Sequence, residues 1–279
     1  MRNRKNLVLT LASIMALGVS SIAWATATGQ KIDWMPAPSP SKQNKKKPKG
    51  PVTLGVQTEG TYDNLTPGGP GGAPSSHVEQ ATLHFDKDLA WNGGTTTPCA
   101  KATINSLDTA GAKAACPNSI YGAGSAKVNG VLGPANAEVV AFRGSHPNEL
   151  LLHARAGAPL PPTTTVLVGT ISPSTKGGPY GKQLDVKVDP IAGGQVVLLV
   201  FQTTINKVIT KPAAKKKPGK PKPKPTYLLS MNCSDKVWDL TGDFRFVDSP
   251  GGGTENVTLS GSDTAPCKQK PTKKKKKKK

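Results

Sequence analysis

Ser145, His146 and Glu149 place a hydroxyl, an imidazole and a carboxylate within one short stretch, the three groups from which a hydrolytic triad is made. Triads are assembled in space, however, so closeness along the chain is weak ground for one. No G-x-S-x-G elbow accompanies them; Gly122-Ala123-Gly124-Ser125-Ala126 and Gly144-Ser145-His146 come nearest. His146 and His153 are seven apart without an HExxH frame, and no CxxC pair is present. His77 and His84 likewise lack ligand spacing relative to the cysteines, so no zinc site is expected. His153 falls in the apolar stretch Glu149–Ala156 and reads as a cross-strand partner.

Carboxylates pair at Asp86-Lys87-Asp88 and at Asp185 and Asp189, but a glycosidase needs two acids facing each other across a cleft. Solvated turn residues are the simpler reading. The stretch Lys176-Gly177-Gly178-Pro179-Tyr180-Gly181-Lys182 superficially resembles a phosphate loop, yet it lacks the G-x4-G-K-[ST] spacing and a following helix. Asp248-Ser249-Pro250-Gly251 is no EF-hand, and aromatics at 5% are sparse for a sugar platform, with Trp91, Tyr180 and Trp238 the candidates. No catalytic, cofactor-binding or metal-ligating residues are assigned, and a non-enzymatic protein is expected.

The charge pattern is more informative. Of the net +20, most lies in Lys42–Lys49, Lys211–Pro225 and Lys268–Lys279. The last two hold seven and nine lysines with no acid, whereas residues 51–210 carry ten cations and ten anions and residues 226–267 have a net charge of −4. Such runs repel themselves and bury no apolar area, so they are expected to stay solvated, the Pro-Lys alternation favouring an extended spacer. Lys215, Lys216 and Lys217, with Lys273, Lys274 and Lys275, form the cores of two electrostatic arms. Arginine is absent from these runs and no aromatic interleaves with them, which argues against sequence-specific or stacked nucleic-acid recognition.

Residues 1–27 read as a secretory signal peptide. Arg2, Arg4 and Lys5 precede the apolar Leu7–Val19, and Ala23-Trp24-Ala25 and Ala25-Thr26-Ala27 each offer a small-x-small cleavage site. No second long apolar run follows, so no transmembrane segment is expected after cleavage. Cys99, Cys116, Cys233 and Cys267 are even in number, which in an oxidising compartment points to two disulfides. Three pairings are possible; Cys99–Cys116 and Cys233–Cys267 are preferred because each brackets a local stretch of strand and turn.

The elements that must position these residues read as strands. Residues 28–50 show no periodic apolar pattern and are expected to be a Pro/Ser/Lys linker. From Pro51 the chain alternates in short apolar runs divided by Gly, Pro, Asn and Asp: Val52–Gln57, His77–Phe85, Ile120–Val128, Glu138–Phe142, Glu149–Ala156, Thr164–Ile171, Gln183–Val188 and Gln195–Ile209. Tyr227–Cys233, Lys236–Leu240, Asp243–Val247 and Glu255–Ser260 follow. Val196 through Phe201 is continuously apolar, as in a strand covered on both faces. Helical signal is confined to Thr103–Ala115, which Gly111 interrupts. The expectation is an all-β protein: a single antiparallel β-sandwich of about a dozen short strands over residues 51–267, with a disordered loop insertion at 211–225 and a poly-Lys tail at 268–279. A separate domain at 226–267 would be very small, so one interrupted domain is favoured.

Two blocks carry a resemblance. Thr97-Pro98-Cys99, Ala115-Cys116-Pro117-Asn118-Ser119 and Tyr121-Gly122-Ala123-Gly124 look like a P-x-C…C-P-x-S…G-x-G pattern, with Pro98 directly before Cys99. Cys233-Ser234-Asp235-Lys236-Val237-Trp238, Asp243-Phe244-Arg245-Phe246 and Pro266-Cys267 form a C-x4-W…F…C ending. Together they resemble a domain of exported actinobacterial proteins of unknown function, with Tyr121 replacing a small aliphatic residue. The resemblance implies an extracytoplasmic, disulfide-bearing β-domain and carries over no catalytic residue. Gly122 and Gly124 then permit a bulge or close backbone approach, and Trp238 packs beside a disulfide.

The functional expectation is an exported, non-enzymatic β-sandwich at the cell envelope, its lysine arms attracted to anionic wall polymers or phospholipid headgroups. The alternatives are a secreted hydrolase or carbohydrate-binding domain whose site is not visible in sequence, and a structural ectodomain with passive linkers.

Overall fold

The computed structural model describes residues 26–38, 50–63, 76–130, 132–191, 196–209, 226–248 and 256–267. Within them the chain is all-β. The long strands are β1 (Thr26–Pro38), β2 (Gly50–Asp63), β3 (Ser76–Asp86), β5 (Ile120–Gly130), β6 (Gly133–Arg143), β7 (Glu149–Ala156), β8 (Thr163–Pro173), β9 (Tyr180–Lys187), β10 (Val196–Ile205), β14 (Val237–Asp248) and β15 (Val257–Pro266). Short strands are β4 (Leu89–Trp91), β11 (Val208–Ile209), β12 (Thr226–Tyr227) and β13 (Leu229–Met231).

The strands hydrogen-bond antiparallel in the order β15-β14-β3-β9-β8-β7-β6-β5-β10-β2-β13-β4, with β1 also on β2. Folding this continuous sheet over itself makes the two facing layers. Ile32, Trp34, Leu54 and Val56 from one end meet Leu83, Phe85, Leu184 and Phe244 from the other in the main core. The Trp34 and Phe85 rings lie 5.7 Å apart, and Tyr62 meets Phe246 edge-on at 6.0 Å. β1 and β15 lie together where the sheet's ends approach, and the Trp34 backbone N–H donates to Asp263 Oδ2 at 2.7 Å.

Two parts of the sequence reading need correction. Residues 28–38, expected to be linker, belong to β1, which runs in register along β2 from Thr26↔Asp63 to Pro38↔Val52. Ile32 and Trp34, two apart, are the large apolar pair that buries among its described side chains, too short an alternation to register as a strand. Ala27, placed at the end of the signal peptide, is likewise buried in β1. The strands are also longer than the apolar blocks, because they continue through Thr, Gly and Ser positions. Lys236–Leu240 and Asp243–Val247 are one strand, β14. Gly242 divides them in sequence but sits mid-strand, where a Cβ would press on Ile32 and Leu83.

β13, β14 and β15 belong to the same sheet as the rest: β13 pairs with β2, β14 with β3 and β15 with β14. The lysine-rich 211–225 lies outside the described residues, but a two-residue ladder, Val208↔Tyr227 and Ile209↔Thr226, brackets it as the base of a hairpin. The helical signal resolves into α1 (Lys101–Ile104) and α2 (Thr109–Ala115), the latter N-capped by Asp108, whose Oδ1 accepts from Gly111 N–H at 2.7 Å. This excursion brings Ile104 and Ala112 over the outer faces of Val140, Phe142, Leu151 and Val166. Those strands therefore bury both faces.

Candidate functional site

Both preferred disulfides are present, Cys99–Cys116 and Cys233–Cys267, each with a Cα separation of 5.8 Å. The first closes the helical excursion; the second ties the β13–β14 connection to the end of β15. Trp238 is fully buried in the main core, against which Cys267 packs, and its Nε1–H donates to Asn232 O at 2.6 Å. Two disulfides are compatible with an extracytoplasmic protein. Lys215, Lys216, Lys217, Lys273, Lys274 and Lys275 lie outside the described residues, as do residues 1–25 of the expected signal peptide.

The residues singled out for chemistry do not assemble as a triad around Ser145. That serine and His146 are exposed on the β6–β7 turn, where Glu149 N–H donates to the His146 carbonyl at 3.0 Å. His153 is fully buried, its Nε2 3.1 Å from the Leu107 carbonyl beneath the helices. Asp86, read as a solvated turn residue, is instead fully buried. Its two carboxylate oxygens accept the backbone N–H of Asp88 at 2.7 Å and of Asp239 at 3.1 Å, fastening the end of β3 to β14. Burial pushes the Asp86 carboxyl above its ordinary value despite those two bonds.

The polar cluster that does form centres on His84, which sequence spacing gave no reason to choose. His84 Nδ1 is 2.9 Å from Ser174 Oγ, and its Nε2 is 3.5 Å from Asp243 Oδ2. Asp243 also accepts from Lys176 Nζ at 3.0 Å and from Ser260 Oγ at 2.7 Å, and the Tyr180 ring leans on the imidazole. Hydroxyl, imidazole and carboxylate are thus aligned, but the serine meets Nδ1, the nitrogen nearer the backbone, and its Oγ accepts the Lys176 N–H at 3.3 Å. The group pins the β8–β9 turn, with Gly177 and Gly178 at positive φ, onto β3 and β14. It acts as a clamp.

Burial holds His84 below the usual imidazole value, and Lys176 adds to this against the pull of Asp243 and Asp185. The unfolded chain therefore binds the proton first on acidification, and the stability contributed above about pH 6.5 is lost as pH falls below it. Asp86 works in the opposite sense and in a lower window: its raised value favours the fold in acid and loses that contribution as pH rises above the ordinary carboxylate value. We expect H84Q to flatten the decline of Tm between about pH 7 and pH 5, read by calorimetry. An unchanged slope would remove His84 as its source.

Two concavities are apolar and lie between the layers; a third, of about 360 Å³, is polar and lies among Glu79, Gln80, Asp185, Lys187 and Arg245. Of the apolar pair one, of about 290 Å³, is bounded by Ala126, Ala137, Ala156, Leu160, Ile191 and Val196, with the exposed Leu132 at its rim. A smaller one, of about 90 Å³, lies deeper among Leu54, Leu83, Leu152, Leu184 and Phe244. Leu167, Val188, Leu198 and Phe201 line both. The run expected to be covered on both faces thus contributes cavity wall: Leu198 through Phe201 are only half-buried, and a bulge between Leu198 and Val200 shifts which residues point inward. Among the described residues no group of three or more His, Cys, Asp or Glu is placed to hold a metal, and no helix is long and apolar enough to cross a membrane.

Fold and site together define a disulfide-stapled, all-β protein with an apolar interior cleft. Comparison with family models, with curated proteins and with solved structures gives no match to this chain.

Proposed function

We propose that the protein is exported and acts without catalysis at the cell envelope, held by its lysine-rich arms to anionic wall polymers or phospholipid headgroups. One observation carries this reading: the folded body neutralises its own charge. Lys31 meets Asp33, Lys87 meets Asp235, Lys113 meets Glu138, Lys176 meets Asp243 and Arg245 meets Glu79. The seven lysines of 211–225 and the nine of 268–279 have no such acids in their own segments. The net positive charge therefore belongs to the arms. Lysine near an anionic surface contributes roughly 1 kcal/mol each, falling within a Debye length, so the attraction is strong in sum and sensitive to salt. Export also fits the start of the fold: of the two cleavage sites, the one after Ala25 leaves β1 whole.

The measurement is retention of the signal-cleaved protein on purified cell wall and on anionic vesicles across a salt series. Retention should drop steeply from about 0.05 to about 0.5 M salt. Removing residues 268–279 together with 211–225 should weaken it by at least about a hundredfold. Retention indifferent to both changes would leave a structural ectodomain with passive linkers.

A further inference from the structure

We infer that the cleft between the layers is a binding site for a single unbranched hydrocarbon chain, the apolar part of an anionic amphiphile. The space is built by sequence placement. Ala126 pairs with Ala137, Ala137 with Ala156, and Ala156 with Thr163, so four adjacent strands present a row of small side chains on their inner face. β6 shows the contrast most clearly, since Ala135, Ala137, Val139 and Ala141 alternate with the outward Val140 and Phe142 that pack beneath the helices. A sandwich selected for stability alone would fill this row, because unfilled apolar volume weakens a core.

The lining favours a hydrocarbon chain over a polar ligand. The outer cavity opens at Leu132, and Leu167, Val188, Leu198 and Phe201 form a wall it shares with the deeper one. At about 290 Å³ the outer part is near the lower bound of small-molecule pockets, and its walls are almost wholly aliphatic. Their only polar side chains are Thr163, whose hydroxyl donates to the Pro161 carbonyl, and Thr165, while methylenes need only contact. At the far wall the buried Thr203 Oγ1 has no hydrogen-bond partner among the described residues. Most of the net charge of +20 lies in the lysine arms, so an anionic head left outside the cleft rests on the envelope reading proposed above, while the cleft itself does not. The cleft does not depend on the arms, so the two can fail separately.

The test is displacement of cis-parinaric acid from the signal-cleaved protein by fatty acids from octanoate to palmitate, with 1-dodecanol as a headgroup-neutral probe. Affinity should rise about fourfold per added methylene and level off once the cleft is full. A137F and the milder A156L fill the floor. Both should lower dodecanol affinity at least tenfold while leaving Tm equal or higher, the sign of a filled void. Deleting 211–225 and 268–279 should weaken the fatty acids and leave dodecanol unchanged. Extraction of chains from phosphatidylglycerol vesicles, compared with binding of free acid, assigns the source. Failure of wild-type protein to bind dodecanol, or equal binding by both filled variants, would overturn the inference whatever the wall-retention result.

Discussion

G124A is expected to lose about 3 kcal/mol or more of stability. A Cβ on Gly124 would overlap the Gln202 carbonyl oxygen and stand 2.8 Å from Thr203 Cα and 2.9 Å from the Gln202 carbonyl carbon. At Gly122 the same methyl would overlap the Thr204 carbonyl oxygen and lie 3.0 Å from Ile205 Cα. Every obstacle is backbone, so no rotamer can yield; β5 and β10 would have to part. They form a ladder from Val196↔Gly130 to Ile205↔Gly122, and that ladder carries Ala126, Val128, Leu198 and Phe201 of the cleft wall. Urea midpoints decide the matter, with Gly157→Ala as the control. Nothing lies within 4 Å of a Cβ at Gly157 and its φ is not positive, so alanine there should be neutral or stabilising by up to about 1 kcal/mol. A G124A midpoint equal to that of the control would show that the two backbones are farther apart than this.

The same two glycines show what could be read from the sequence and what could not. In sequence they permitted a bulge or a close backbone approach, and the ladder supplies the partner for the approach, β10. Local periodicity also located most strands, because half-buried strands show their inward face as alternation. It missed β1, where Ile32 and Trp34 stand among polar and proline residues, and it divided β14 at Gly242, whose bare Cα makes room for Ile32. Those two errors have one cause: the packing of β1 on β14 is a relation between distant segments, and neither segment announces it. The cysteine pairing was legible since each partner is local, 17 and 34 residues apart. His84 and the alanine row were not. The first acquires Ser174 and Asp243 only once β3 lies between β9 and β14. The second is three alanines in three different strands until register sets them side by side.

Removing Cys233–Cys267 as the double serine variant should cost about 3.8 kcal/mol, and removing Cys99–Cys116 about 3.1 kcal/mol, from the loop-closure entropy of separations of 34 and 17. The close totals conceal different events. Cys233 and Cys267 stand at the open end of the β14–β15 hairpin, beyond the last pairs Val237↔Pro266 and Trp238↔Ala265. Without that link the hairpin can fray from its open end, and Trp238, wholly buried, is the first large side chain that fraying exposes. Since the main core closes through β14 and β15 onto β1, this loss should appear as global unfolding. Cys99–Cys116 instead holds the two short helices over Phe142 and Leu151, a satellite cluster outside the main core. Its loss should first release those helices, leaving the amides of β3, β9 and β14 protected. Hydrogen exchange on the two variants separates the cases. Early exchange of residues 101–115 in the first-disulfide variant, with strand amides still slow, is the expected result; simultaneous exchange of both would mean that the helical cover is integral to the sandwich. The practical consequence concerns the cleft. The helices cover the outer faces of β6 and β7, whose inner faces carry Ala137 and Ala156, so a chain-binding site that survives reduction of Cys99–Cys116 owes its shape to the sheet alone.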